Sequence, residues 1–230
     1  MPLFALSDLH LSFAREKPMD VFGPTWRDHP ARIERAWHEM VKPRDTVLVA
    51  GDLSWAMKLE EALPDLEFLH ALPGRKILSK GNHCHWWSSR AKVERVLPDS
   101  ITLLQNDAHL LEGGVVVAGA RGWNMPGSPF FTAGDEKILA REVQRLELSL
   151  AAAAKLEGET LVIMTHYPPI LADGKESPLA PRIEAARPRV CIYGHLHGKD
   201  RAYGFQGRRR GVEYILTSAD ALDFRPARIL

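Results

Sequence analysis

The sequence predicts an α/β fold: two mixed β-sheets packed as a sandwich, with helices outside. Three observations carry that expectation. Strand and helix signals alternate through the first 97 residues, as in the βαβ units of a parallel sheet. Short apolar runs joined by polar or glycine turns follow, as in an antiparallel meander. Five apolar runs, moreover, end in residues that bind metals. A chain of 230 residues with 45% apolar content is long enough to bury a full core, so residues 1–230 are expected to form a single domain.

Taken in order, residues 3–7 (LFALS) read as a strand. Residues 31–41 read as a helix with Ile33, Trp37 and Met40 or Val41 on one face. A strand at 46–50, a helix at 59–71, a strand at 76–79 and a helix at 88–97 complete the alternating half. Such a pattern implies parallel strands with right-handed crossovers. Residues 101–105, 109–112 and 115–119 form the expected meander. A long helix over 135–154 carries Ile138, Leu139, Val143, Leu146 and Leu150 at helical spacing, and strands return at 160–164, 189–193 and 212–217. Three long irregular segments remain, at 11–30, 121–134 and 167–188. Loops of that length in a small domain are either functional or plain surface. The first and third directly follow strands that end in metal-binding residues, so all three are expected around a site mouth.

Composition narrows the class. Net charge is +1, which gives no bulk electrostatic case for nucleic acid or a membrane. Arg208, Arg209 and Arg210 form a local basic cluster, read first as a solvated turn between strands. Two cysteines, Cys84 and Cys191, do not make a disulfide framework, and a reducing compartment is expected. The N-terminus carries no basic segment followed by an apolar one, and no apolar stretch approaches bilayer length. The expected location is the cytoplasm.

The chemistry lies at the strand ends. Asp8-Leu9-His10, Gly51-Asp52, Gly81-Asn82-His83, Thr165-His166 and Gly194-His195-Leu196-His197 each follow an apolar run. Strand after strand thereby delivers a carboxylate, amide or imidazole to a loop, which is how a parallel sheet builds a site at its carboxyl edge. Asp8 and His10 alternate, so on a continuing strand they would face opposite sides. Both reach one ion only if the chain turns there. Asn82 supplies an amide oxygen, and the histidines supply imidazoles suited to Zn, Fe, Mn or Ni. The set exceeds one tetrahedral ion and fits two ions sharing a carboxylate. Two such metals clamp a phosphoryl group and activate water near neutral pH.

Asp-x-His, Gly-Asp, Gly-Asn-His, His and Gly-His-x-His in this order, from residue 8 to 197, resemble the calcineurin-like metallophosphoesterase family. The resemblance implies a four-layer α/β/β/α sandwich and hydrolysis of phosphoesters through a metal-bridging hydroxide. It implies one metal on Asp8, His10, Asp52 and His197, and a second on Asp52, Asn82, His166 and His195. His83 would contact the phosphate and protonate the leaving oxygen, a role suited to an imidazole near neutral pKa. Two divalent ions are expected, Mn before Fe or Zn. The sequence departs from the family twice. Cys84 follows Gly-Asn-His where Asp or Glu is common, and Trp55 stands where an Asp often orients the catalytic imidazole.

Individual residues also admit structural readings. His29, His38, His70 and His109 are expected on surfaces or helix faces, and His85 is not expected to bind. Cys84 is read as a loop cysteine rather than a thiolate ligand, and Cys191 as a small core residue. Trp86 and Trp87 fit a plug beneath the loop better than a stacking surface for a base. Arg121 fits a phosphate contact or an ordinary salt bridge, and Trp123, Asn124 and Tyr167 are candidate pocket walls. Gly51–Trp55 lacks an arginine that would grip a phosphorylated side chain. A phosphodiester would suit a site with aromatic neighbours such as Trp86 and Trp87, and the preferred substrate is a nucleotide or other small phosphodiester. A phosphomonoester, a nucleic acid cut by a nuclease, and a non-catalytic binding scaffold are the alternatives. Oligomeric state is not encoded in any of these features.

Overall fold

The computed structural model describes residues 1–15 and 17–230. Glu16, inside the predicted 11–30 loop, lies outside the described residues. In chain order the first strands are β1 (Leu3–Ala5), β2 (Thr46–Val49), β3 (Arg75–Ser79), β4 (Ile101–Leu104), β5 (Ala108–Leu111) and β6 (Val115–Ala120). There follow β7 (Thr160–Thr165), β8 (Val190–Tyr193), β9 (Gly207–Arg209), β10 (Val212–Leu216) and β11 (Ala227–Arg228). The helices are α1 (His29–Met40), α2 (Leu59–Ala71), α3 (Arg90–Glu94), α4 (Asp135–Ala153) and α5 (Ala180–Ala185). The two mixed sheets and flanking helices expected from the sequence are both present. The chain divides into two compact units.

The first unit comprises Met1–Leu103 and Thr217–Leu230. Its sheet runs β11-β1-β2-β3-β4. β1, β2 and β3 are parallel, as the βαβαβ pattern predicts, and β11 closes one edge antiparallel to β1. Ile33 and Trp37, one turn apart on α1, are fully buried, as are Ala62 and Leu69 on α2. They join Val47, Val49 and Leu78 of the sheet in one apolar cluster. Burying a side chain of that size stabilises by about 1.5–3 kcal/mol. Glu61 accepts hydrogen bonds from the Met57 and Lys58 backbone N–H groups and so caps the start of α2.

The second unit, Leu104–Leu216, holds the sheet β5-β6-β7-β8-β10-β9. Its four central strands are parallel, and the outer pairs β5–β6 and β9–β10 are antiparallel. Leu139 and Leu146 of α4 are buried, and Ser149 ties that helix to the sheet. The Gly119 backbone N–H donates to Ser149 Oγ at 2.8 Å, and Ser149 Oγ donates to the Asp107 carbonyl at 2.5 Å. A side chain at Gly119 would collide with Met164, so β6 and β7 pack closely there. The basic cluster, expected to be a turn, lies mostly in strand: Arg208 and Arg209 belong to β9, and only Arg210 is in the β9–β10 turn, with Arg209 and Arg210 paired to Glu176 and Glu184.

Several expectations need correction. β4 leaves the predicted meander and lies beside β3, where the Lys76 N–H donates to the Ser100 carbonyl at 2.8 Å. Only β5 and β6 form the hairpin. The helix expected at 88–97 is confined to Arg90–Glu94. α5 sits inside the predicted 167–188 loop. Pro181 serves its first turn, and six residues are too few to display a period. Among the described residues, no helix is long and apolar enough to cross a membrane.

Candidate metal centre

β1 stops at Ala5, and the chain turns beyond it. Asp8 and His10 take left-handed backbone conformations, with φ of 58° and 47°. The turn overrides strand alternation, and ligand atoms of the two side chains lie within 4.8 Å of each other. Asp52, after β2, has φ of 49°, and its carboxylate lies within 4.8 Å of that of Asp8. Non-glycine residues with positive φ cost about 1–3 kcal/mol each and persist where surrounding structure enforces them. That structure is visible here. The Asp8 and His10 N–H groups donate to the carbonyls of Gly51 and Asp52, both at 3.0 Å. The Ser7 N–H donates to the Thr217 carbonyl at 2.8 Å, and Ser218 Oγ donates to Asp8 Oδ2 at 3.2 Å. Thr217 and Ser218 support the site from the C-terminal end of the chain, too far away in sequence to leave a local signal.

Asp52 is held by the turn that follows β3. The His83 N–H donates to its Oδ1 at 2.8 Å. The buried Cys84 thiol also points at that oxygen, at 3.9 Å, and accepts the Gly81 N–H at 3.3 Å. Burial first, and the Asp52 charge second, push the thiol up to about 12, which suits a neutral donor facing Asp52. A Cβ at position 81 would stand 2.1 Å from Asp52 Oδ1. The glycine of Gly81-Asn82-His83 is therefore the space into which Asp52 packs.

His83 and Asn82 are half-buried in the turn after β3. The His83 ring contacts Trp55, with centroids 4.3 Å apart, and meets His10 edge-on at 5.7 Å. Trp55 is also nearly parallel to His10, at 4.7 Å and 23°. Its Nε1–H donates to Met19 Sδ at 3.0 Å, and Lys17 Nζ lies 3.6 Å from its ring centre. At the position where the family often has an Asp, this chain places an indole against the imidazole. His85 is exposed, with its ring 6.2 Å from that of His83.

The second unit presents three more histidines. His166, beyond β7, is fully buried, whereas His195 and His197, beyond β8, are half-buried. The N–H groups of His166 and Tyr167 both donate to the Arg121 carbonyl at 2.9 Å, and the Gly194 N–H donates to the His166 carbonyl at 3.0 Å. The ends of β6, β7 and β8 are thus tied together. The His166 and His195 rings lie 5.2 Å apart, and Tyr167 packs on His195 at 4.0 Å. Arg121 is paired with Glu142 at 3.0 Å and lies over Trp123.

The donor set suits divalent ions. Two buried carboxylates with oxygens this close repel, and a divalent cation converts that repulsion into attraction. Oxygen and imidazole donors without a thiolate match Mn, Fe or Zn. Two aromatic expectations resolve clearly: Trp86 and Trp87 are 1% exposed and form the plug beneath the loop. His29, expected on a surface or helix face, is the first residue of α1 and is buried, with Nδ1 3.1 Å from the Trp26 carbonyl.

Comparison with known proteins adds four findings. A family model described as calcineurin-like phosphoesterase matches residues 1–199. Gene 66 protein of Mycobacterium phage L5 is 32% identical over 77 residues, which are 34% of this chain and 37% of that protein. The match thus spans little more than a third of the length of that curated relative. The solved phosphopantetheinyl hydrolase of Mycobacterium tuberculosis is similar at a TM-score of 0.58 and 16% identity, over 94% of this chain and 88% of that one. A protein of unknown function from Aquifex aeolicus is similar at 0.50 and 17% identity, over 98% and 94%. Likeness at these identities shows the fold.

Proposed function

Because the chain belongs to the calcineurin-like phosphoesterase family, we propose that it hydrolyses a phosphodiester, either a nucleotide or another small diester. Family membership makes it a metal-dependent phosphoester hydrolase. The residue roles follow the motifs: Asp8, His10, Asp52 and His197 hold one divalent ion, and Asp52, Asn82, His166 and His195 hold the other. When bound, such ions supply Lewis-acid polarisation of the phosphoryl oxygens and a water acidic enough to attack near neutral pH.

The chain's own residues do the rest. Asp52, fixed by the His83 N–H and packed against Gly81, holds its carboxylate in one orientation. His83 carries the proton that the leaving oxygen needs. Trp55 limits how the His83 and His10 rings can tilt. The Asp8 and Asp52 carboxylates are buried, which keeps bulk water from them.

The observation that carries the diester reading is Trp55. It presents an indole to His83 in Gly51–Trp55, a segment that holds no arginine to pair with a second phosphate charge. A diester carries one negative charge and asks less of that position. A small molecule is favoured over a nucleic acid strand because Arg209 and Arg210 are paired with Glu176 and Glu184. We place the enzyme in the cytoplasm, with manganese as its working metal.

The test is hydrolysis of bis(4-nitrophenyl) phosphate against 4-nitrophenyl phosphate after loading with Mn, Fe or Zn. Faster cleavage of the diester is expected, with the largest rate for Mn. Faster cleavage of the monoester would make the protein a phosphatase instead.

A further inference from the structure

We propose that a groove in the second unit, walled by Trp123, Phe130, Tyr167 and Tyr203 beside His195, holds a flat, uncharged ring of the substrate such as a nucleobase. The proposal rests on the phosphoester reading above and names the organic group that reading leaves open. The groove narrows to about 20 Å³ beside His195 and widens to about 420 Å³ further out. Ser128, Leu171 and Tyr203 line both parts, so the two are continuous. Its inner end is a chain of ring contacts. Trp123 meets Tyr167 at 5.0 Å, and Tyr167 meets His195 at 4.0 Å. A group bound there is therefore next to an imidazole assigned to a metal.

The walls are held in place. Asp135, at the start of α4, accepts the Trp123 Nε1–H at 2.5 Å, the Thr132 N–H at 2.7 Å and the Thr132 hydroxyl at 2.9 Å. These bonds close the aromatic loop 121–134 on itself. Across the groove, the Ala172 N–H donates to the Tyr203 carbonyl at 2.8 Å, and Leu171 pairs with Gly204. Phe130 and Tyr203 nevertheless remain 47% and 43% exposed, meeting edge to face at 6.3 Å. Large rings that stay open to water on a braced wall offer their faces to another ring.

Charge decides the kind of ring. Among the lining residues of the inner part, no carboxylate, lysine or arginine appears. Asp173, on the outer part, is paired with Lys175 at 2.7 Å. A charged group would lose hydration without gaining a partner. Asn124 and Ser128 offer an amide and a hydroxyl to the edge of a heterocycle. The stacking surface is therefore on the second unit's loops and not at the buried Trp86 and Trp87.

Adenosine 5′-monophosphate and ribose 5-phosphate carry the same phosphate and differ by the ring. Calorimetric titration of the manganese-loaded protein is expected to show the adenosine compound binding about tenfold or more tightly. In Phe130→Ala/Tyr203→Ala that ratio falls towards one, and in Phe130→Trp it is kept. Both substituted side chains are half exposed, and circular dichroism checks the fold of each variant. Equal binding of the two compounds by the unaltered protein, with phosphoester hydrolysis intact, overturns the groove and leaves the hydrolase reading standing. A preference that survives in the double variant overturns it as well. No hydrolysis of any phosphoester together with no binding of either compound overturns both readings.

Discussion

The backbone N–H of His83 donates to Oδ1 of Asp52 at 2.8 Å. The turn after β3 and the turn after β2 are thereby one hydrogen-bonded unit. The motif to which we assign the proton donor also orients the carboxylate assigned to both metals. Hydrogen bonds to a liganding carboxylate fix its orientation and tune its affinity.

Gly81→Ala tests the space that this unit requires. The added methyl would sit 2.1 Å from Asp52 Oδ1, with the Asp52 backbone nitrogen at 2.6 Å. The backbone and the buried carboxylate of Asp52 both crowd that point and leave little room to yield. A loss of about 1–3 kcal/mol in stability is expected, as in other overpacked interiors. Metal affinity should fall about 10–100-fold. Denaturant melts with and without metal separate the two effects. Unaltered metal affinity would mean that Asp52 does not depend on the glycine.

His83→Ala keeps the side chains assigned to the metals and removes the imidazole proposed as proton donor. Metal content should be retained while turnover falls by about 10²–10⁴. The loss should be greatest for diesters with poor leaving groups, because an activated leaving group departs without a proton. A series of aryl diesters of rising leaving-group pKa checks this. Equal slowing across the series would contradict the acid role.

The ligand-bearing strand ends are legible in the sequence because an apolar run that stops at Asp8, Asp52, His166 or His195 is a local pattern. The left-handed turn of Asp8 and His10 is also local, since two alternating donors reach one ion only by leaving the strand. What the sequence does not carry is partner choice. β4 reads like the first strand of a meander, yet its neighbour is β3, selected by contacts that no window of residues contains. β11 has two residues and no pattern of its own. Ser218 reaches Asp8 across 210 positions. Trp55 is visible as a departure from the family, but its contact with His10 and His83 emerges only once the turns fold together.

Trp55→Ala removes a ring that touches both His10 and His83. A fall in kcat of about tenfold to a hundredfold is expected, with KM much less affected, because misplaced catalytic groups cost rate rather than binding. Trp55→Phe should recover most of the loss. Steady-state kinetics of the two variants on one diester decide it. A rise in KM with kcat unchanged would instead make Trp55 a binding residue.

Lys76 gives a pH dependence of stability. Its side chain is buried, and Nζ donates to the Leu72 and His70 carbonyls at the end of α2. Burial lowers its pKa from 10.5 to about 8. The folded pKa lies below the unfolded one, so the unfolded chain binds the proton more tightly. Stability is therefore reduced below pH 8 and is regained as pH rises from 8 through 10.5. The full swing is on the order of 3 kcal/mol. Urea melts of the native protein and Lys76→Met across this range should show the native protein gaining that much relative to the variant. A difference independent of pH would show that Lys76 folds without losing basicity.

Metal stoichiometry of Asp52→Asn tests the central claim most directly. Asp52 is assigned to both ions, so the native protein should bind two divalent metals per chain. The variant should hold fewer than one, with diester hydrolysis reduced on the order of a hundredfold or more, at least the loss seen when a supporting residue is removed. Elemental analysis of the two purified proteins, alongside their rates, supplies both numbers. Two metals and an unchanged rate in Asp52→Asn would contradict a binuclear centre built on this carboxylate.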